Sequence, residues 1–237
     1  MLGYLGSNIG GLSGLADNSK INNVHINNLN INAPRHSGGL LGESNNTVIT
    51  NSSTQGLMHM YFATKGGGGL IGSASNSQIS SSAAHVNQIQ SQYTDYGVES
   101  IGGLVGELLQ STIQNCYADG NIDNTAVTES IPGMYPKYLG GITGMAFHGS
   151  IANAYYAGKI LLKNADNVGG AGGVLQYATS TNVFWDAIIS GMTKSAFGLG
   201  QTTCMMQQKS FWLTQGFDPN IWNLVDGMYP KLVSENT

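Results

Sequence analysis

The stretch Gly102-Gly103-Leu104-Val105-Gly106, followed by Ser111-Thr112-Ile113-Gln114-Asn115, is the part of the chain that decides the fold. Both segments recur along the 237 residues, at irregular intervals of roughly 30 residues. Copies of the glycine segment begin at Gly10, Gly38, Gly68, Gly140 and, in weaker form, Gly172; copies of the second segment begin at Ser19, Thr47, Ser77 and Gly149. Such self-similarity indicates a repeat architecture, in which each unit buries its apolar face against its neighbours.

The second segment alternates apolar and polar residues, which is typical of a β-strand. Its central Ile is predicted to point inward, and the Asn or Ser that follows suits a bend because Asn tolerates left-handed backbone. The glycine segment is predicted to be a strand with a corner, where Gly supplies positive φ and lets neighbouring backbones approach. Successive rungs are then expected to lie about 4.8 Å apart. One apolar residue from each copy should stack into a column, formed by Leu12, Leu40, Leu70, Leu104 and Ile142.

The unequal spacing of the copies predicts loops of unequal length, at 55–65, 83–99 and 125–138, which project from one face and often mark the binding face of a solenoid. The pattern changes near Thr179, and a helix-compatible stretch follows at 202–209. All three tryptophans lie beyond Thr179. We therefore predict repeats over residues 1–178 and a capping segment over 179–237. The aromatic residues of that segment either cover the open end of the core or form a ligand cleft.

Composition excludes several classes of protein. The chain is 41% apolar and 9% charged, with a net charge of −4, so it is expected to fold and has no basic field for nucleic acid or anionic lipid. It contains neither a signal-peptide pattern nor a run of apolar residues long enough to span a membrane. Because the sequence enters the repeats almost at Met1, we expect a piece of a longer exported polypeptide.

The glycine and Ser-Ile-x-Asn segments together resemble the GLUG-motif repeat family, most closely at Gly102–Gly106 with Ser111–Gly120 and again at Ile151–Gly158. The C-terminal segment is similar to the region after such repeats in filamentous-haemagglutinin-like bacterial surface proteins. The resemblance implies a right-handed parallel β-solenoid (an all-β fold) with an aromatic-rich C-terminal cap, secreted or displayed at the cell surface. It also implies a non-catalytic module, as in adhesins and some immunoglobulin-cleaving proteases, with no catalytic residues and no cofactor to carry over.

Residues with catalytic chemistry are sparse. Glu43 and Glu107 occupy the same place in copies two rungs apart, about 10 Å from each other, which is near the upper limit for an inverting glycosidase pair. Two solvated acids are the simpler interpretation, and Asp119 and Asp123 are either solvated or bind a weak cation. The histidines show no metal-ligand spacing and are interpreted as surface or bend residues: His25, His36, His59, His85 and His148.

The two cysteines, Cys116 and Cys204, would allow one disulfide, although the simpler interpretation is that both are small buried apolar residues.

We predict a non-enzymatic module that acts in adhesion or as a scaffold presenting loops, with a protein or glycan on a host or neighbouring cell as partner. Exposed tyrosines are the predicted contact residues: Tyr93, Tyr96, Tyr135 and Tyr138. A carbohydrate-binding or carbohydrate-cleaving module is the first alternative. An effector that docks on a host protein is the second.

Overall fold

The computed structural model describes residues 8–33, 36–60, 66–90, 100–125, 138–162 and 166–236. Within these ranges the chain is an all-β parallel solenoid, which confirms the predicted fold class. Each turn adds one strand to each of several sheets, and equivalent segments of successive repeats pair in register.

Two six-stranded sheets contain the glycine segments. The first consists of Ile9–Gly10, Ser37–Gly38, Gly66–Gly68, Ser100–Gly102, Tyr138–Gly140 and Asn167–Gly169. The second consists of Ser13–Asp17, Leu41–Asn45, Ile71–Ser75, Val105–Leu109, Thr143–Phe147 and Gly172–Gln176.

A twelve-stranded sheet closes the remaining sides of the solenoid. One part contains Lys20–Asn22, Val48–Thr50, Gln78–Ser80, Thr112–Ala118, Ser150–Tyr156, Thr179–Asp186 and Leu199–Gln201. The other part contains His25–Ala33, Ser53–Met60, Ala83–Gln90, Ile122–Asp123 and Ile160–Leu161. The α-helices are Ala187–Ser190, Thr203–Met206 and Lys209–Thr214; an antiparallel pair, Trp222–Asn223 with Lys231–Leu232, and a 3-10 helix, Val233–Asn236, complete the described chain.

The interior is filled by columns of aliphatic side chains. Leu40, Leu70, Leu104 and Ile142 are fully buried, as predicted for the glycine segment. Leu12, at the first described rung, is instead 49% exposed, so the prediction is wrong for that copy. The isoleucines of the second segment form another buried column, from Ile49 through Ile79 and Ile113 to Ile151. Because each rung buries its apolar side chains only against the next, stability comes from stacking.

The repeated glycines are required for close approach rather than for positive φ. A Cβ on Gly103 would overlap the carbonyl oxygen of Gly141 on the next rung. Within the described ranges the glycines with positive φ are Gly56, Gly191, Gly198, Gly216 and Gly227, none of which belongs to a Gly-Gly pair. The expectation of left-handed glycine at these corners is therefore wrong.

Left-handed backbone occurs instead at two columns of non-glycine residues. We name the column that follows the second sheet the first corner: Asn18, Asn46, Asn76, Gln110, His148 and Tyr177. The second corner follows the Ile strands, as predicted for Asn or Ser: Asn23, Asn51, Ser81, Asn115, Asn153 and Asn182. Asn suits these places because its short polar side chain tolerates this conformation and bonds locally. Amide-to-amide hydrogen bonds link neighbouring rungs, as from Asn153 Nδ2 to Asn115 Oδ1 at 3.2 Å.

Much of the sequence assigned to projecting loops is strand. Residues 55–60 belong to Ser53–Met60 and residues 83–90 are the strand Ala83–Gln90, so these parts of the loop prediction are wrong. The strands extend there because they pair in register over their whole length, from Ala83 with Ser53 to Gln90 with Met60. The remainder of the three predicted loops lies outside the described residues, except for Thr125, which is in a turn, and Tyr138, which begins a strand.

Candidate functional site

Three of the four predicted contact residues, Tyr93, Tyr96 and Tyr135, lie outside the described residues. The fourth, Tyr138, is half-buried at the start of a strand, where it pairs with Ser100 and Asn167. Its side chain therefore sits on a sheet rather than in a loop. Ligand contact by any of these four residues stays a prediction.

The carboxylates Glu43 and Glu107 lie in one column, each in register with Ser73, as the repeat spacing predicts. Glu107 is only 9% exposed and accepts a hydrogen bond from Ser73 Oγ at 3.2 Å. His36 lies between the two acids, with Nδ1 3.5 Å from Glu43 Oε2 and Nε2 3.7 Å from Glu107 Oε2. Asn8 Nδ2 also donates to Glu43 Oε2, at 2.6 Å. The interpretation of two solvated acids is wrong, because the stacking inserts an imidazole between them.

Residues 203–236, which we name the lateral segment, pack on the side of the solenoid. Tyr117, Tyr155 and Phe184 occupy equivalent positions on successive rungs, and they form one buried cluster with Trp212 and Trp222 of the lateral segment. The Tyr117 and Tyr155 rings stack at 4.9 Å and 9°. Both tryptophans are 1% exposed, so in the described structure they form neither an end cover nor an open aromatic cleft.

The end of the solenoid is covered by different residues. Trp185 and Phe197 belong to the main core: the Trp185 ring lies against Gly170 of its own rung, and the Phe197 ring lies against Gly172 of the rung before it. Asp186 then ends the last repeat strand and caps the helix Ala187–Ser190, accepting from the backbone N–H groups of Ile188 and Ile189. The capping role predicted for the aromatic residues thus belongs to Trp185 and Phe197.

A charged network fastens the lateral segment to the rungs beneath it. His85 Nδ1 is 2.6 Å from Asp119 Oδ1, and His85 Nε2 is 2.7 Å from Glu235 Oε1. Lys231 Nζ donates to Asp119 Oδ2 at 2.8 Å, and Tyr117 Oη donates to Glu235 Oε2 at 2.6 Å. We name these five residues the lateral network. Asp119 is therefore ion-paired, which overturns its interpretation as a solvated residue or a weak cation ligand, and His85 is not a simple surface residue.

The network shifts the protonation of its members. Burial alone would lower the pKa of His85, but hydrogen bonds to Asp119 and Glu235 override it and raise the pKa from 6.5 to about 9. Burial alone would raise the pKa values of Asp119 and Glu235, but hydrogen bonds with His85 hold both below their ordinary values. Burial raises the pKa of Tyr117, so its hydroxyl remains a donor. At neutral pH two cations, His85 and Lys231, therefore face two carboxylates.

The last two residues of the first corner, His148 and Tyr177, form a cluster with Phe147 of the adjoining strand, which we name the aromatic corner. The rings of His148 and Tyr177 stack at 5.0 Å and 13°. Phe147 meets both edge-on, at 4.3 Å from His148 and 5.7 Å from Tyr177. Sequence reasoning overlooked this cluster, although aligning His148 and Tyr177 with Asn46 and Asn76 of earlier repeats would have identified it.

The cysteines are separate free thiols. Cys116 is buried in a column with Ser52 and Ser82, and its Sγ lies 3.3 Å from the carbonyl oxygen of Gln114. Burial raises the pKa of Cys116 to about 12. Cys204 is exposed, so the expectation that both are buried is wrong for this residue.

Among the described residues no group of three or more His, Cys, Asp or Glu side chains is placed to hold a metal ion. The helices of the same ranges are too short or too polar to cross a membrane.

Comparison with known proteins identifies the repeat. A family model described as the GLUG motif matches residues 97–123, which include the best copy of both segments. The chain is 29% identical over 127 residues, 51% of its length, to a Gly-rich membrane protein of Evansella cellulosilytica. It is 33% identical over 135 residues, 54% of its length, to an immunoglobulin A1 protease of Streptococcus sanguinis. The aligned regions make up only 14% and 7% of these relatives. One copy of the repeat thus matches the GLUG motif, and the chain is similar to a small part of larger proteins.

Proposed function

We propose that this chain is a non-catalytic module of a larger secreted or surface-displayed bacterial protein, where it acts in adhesion or as a scaffold that presents binding surfaces. The observation that carries the proposal is the in-register stack of rungs, stiffened along one side by the lateral segment. Such a rod holds its corners at fixed spacing, which suits display. The similarity to short parts of a membrane protein and of an immunoglobulin A1 protease supports a place outside the cytoplasm.

The contacts of the acidic side chains support a structural rather than a catalytic role. Glu43 accepts from Asn8, Glu107 from Ser73, Glu235 from Tyr117, and Asp119 from Lys231. Asp186 caps a helix. Each carboxylate thus holds two segments of the fold together, and a general acid or base would need to be released from such a contact to reach a substrate.

A direct test uses beads coated with the purified protein and offered to cultured epithelial cells and to other bacteria. Adhesion above that of albumin-coated beads is expected for the adhesive form of the module. Beads that do not adhere, together with an unaltered attachment phenotype when the module is deleted from its parent protein, would refute the proposal.

One observation favours a second candidate, a carbohydrate-cleaving module. Glu43 and Glu107 share a face with His36 between them, and two rungs place them about 10 Å apart. Release of reducing sugar from polysaccharides by the pure protein would establish this activity if Glu107→Gln abolished it. The matched variant Asp226→Asn, in the lateral segment away from this column, would have to retain it.

A further inference from the structure

We propose that the aromatic corner, together with the amide side chains that precede it on the first corner, binds a neutral linear saccharide chain lying along the solenoid axis. This inference deepens the proposed function and rests on it, because it names the ligand class that the displayed module would hold.

Exposure is the first observation. Tyr177 is 72% exposed, the largest exposed fraction among the hydrophobic side chains of the described residues. Its ring is nevertheless ordered by parallel stacking on His148 and by the edge of Phe147. A rigid aromatic surface that faces solvent is suited to binding, since the face of an aromatic ring attracts the partially positive C–H groups of a ligand. Pyranose rings present such C–H groups on one face and hydroxyl groups at their edge.

Backbone strain is the second observation. Tyr177 has φ of 52° and His148 has φ of 51°, whereas Asn18, Asn46 and Asn76 occupy the equivalent places on earlier rungs. Left-handed backbone disfavours bulky side chains, and such outliers persist where they serve a function. Neither local backbone preference nor burial accounts for an aromatic residue at Tyr177, because the fold accepts Asn there and the ring is exposed. Ligand contact does account for it.

The neighbouring rungs supply the polar part of the site. Gln110 and Asn76 precede His148 on the first corner, and each donates its backbone N–H to the next rung, so all these residues follow one line. That line offers an amide or an aromatic ring about every 4.8 Å. Amides both donate and accept, which matches hydroxyl groups.

The absence of charge defines the ligand further. From the second to the last rung, the first corner and the strand residue before it on each rung contain no Asp, Glu, Lys or Arg, from Asn45 and Asn46 to Gln176 and Tyr177. Nothing in this track neutralises a uronic acid or a sulfate. The chemistry therefore favours neutral sugars over acidic ones.

The test is affinity gel electrophoresis in gels that contain linear glucan, mannan or xylan, with polygalacturonate as the acidic comparison. Retardation of the wild-type protein by at least one neutral polymer is expected. Tyr177→Asn should weaken binding about tenfold without lowering the melting temperature, because Asn occupies this place on other rungs. Met228→Gln is the matched control, since Met228 is also exposed, at 56%, but lies in the lateral segment.

Three outcomes would overturn the inference: no retardation by any neutral polymer, retardation by polygalacturonate alone, or equal retardation of Tyr177→Asn and wild type. Dimerisation in sedimentation experiments that Tyr177→Asn abolishes would instead assign the aromatic corner to a second copy of the chain. Measuring cell adhesion distinguishes failure of the saccharide inference from failure of the proposed function. Coated beads that adhere equally well with wild type and Tyr177→Asn would preserve the adhesive module and reject the saccharide site.

Discussion

Raising the pH should release the lateral segment while leaving the solenoid folded. His85 lies between Asp119 and Glu235, and its pKa is raised from 6.5 to about 9. A group whose pKa is raised by folding contributes stability in full below its unfolded value, and loses that contribution as the pH rises through its folded value. The contribution of His85 is therefore complete below pH 6.5 and disappears through about pH 9.

The size of the effect follows from the shift. A rise from 6.5 to about 9 corresponds to about 3 kcal/mol of free energy, and the His85 side chain is only 21% exposed, so solvent screens it little. The carboxylates act in the opposite direction. Because the pKa values of Asp119 and Glu235 are lowered, their contribution is present above pH 3.8 and 4.5 and is lost as the pH falls further. Stability of the lateral segment should therefore peak between about pH 5 and 6.5.

Tryptophan fluorescence during urea unfolding measures this, since two of the three tryptophans, Trp212 and Trp222, are buried in the cluster that the lateral segment forms with the solenoid. The free energy of the fluorescence transition should be about 3 kcal/mol lower at pH 10 than at pH 6, while circular dichroism of the β-sheets changes at higher urea. His85→Gln should lower stability at pH 6 and remove most of the difference between the two pH values. His148→Asn, which changes an exposed histidine, should keep the difference in stability between pH 6 and pH 10. Equal stability of the wild type at both pH values would refute the reasoning.

Further expectations concern the rungs. Gly103→Ala should lower the free energy of unfolding by about 1–3 kcal/mol, because its Cβ would overlap the Gly141 carbonyl. Gly216→Asn, at an open left-handed site, should change this free energy little in the same urea titration. Equal losses in the two variants would contradict the close-approach argument. Cys116→Ser should change stability by less than about 1.5 kcal/mol, because serine hydroxyls fill equivalent places, and a larger loss would contradict that equivalence. In the native protein a thiol reagent should modify Cys204 and spare Cys116, and labelling of both at equal rates would contradict the burial of Cys116. Tyr177→Asn should raise the free energy of unfolding by about 1 kcal/mol, and a loss would show that the ring stack stabilises the fold more than the strained backbone opposes it.

The sequence predicts the solenoid well because one rule, applied once per rung, determines it. From the second copy onward, the Ser-Ile-x-Asn segment buries its Ile and turns two residues later, as at Ile49 with Asn51 and Ile113 with Asn115. The same register places Glu43 and Glu107 in one column. Periodic patterns of this kind can be recognised in the sequence without knowledge of contacts between distant residues.

Contacts between remote parts of the chain could not be predicted in this way. His85 and Glu235 are separated by 150 residues, and no local pattern around either indicates the other. Trp212 and Trp222 were expected either to cover the end of the core or to form a ligand cleft. The rungs instead stack Tyr117, Tyr155 and Phe184 on an outer face, and this apolar strip buries both tryptophans. The prediction of left-handed glycine was wrong for a related reason. Glycine is required because the next rung approaches too closely for a Cβ, and not because of the local turn.

Distances between spin labels test the stacked register most directly. Asp17, Asn45, Ser75, Leu109, Phe147 and Gln176 lie in one column of paired residues. With a label at position 176, a second label at position 75 should lie about 14 Å away and one at position 17 about 24 Å away, both blurred equally by the label arms. A distance to position 17 that is about 10 Å longer than the distance to position 75 would support the solenoid. Equal distances, or a shorter distance to position 17, would contradict it.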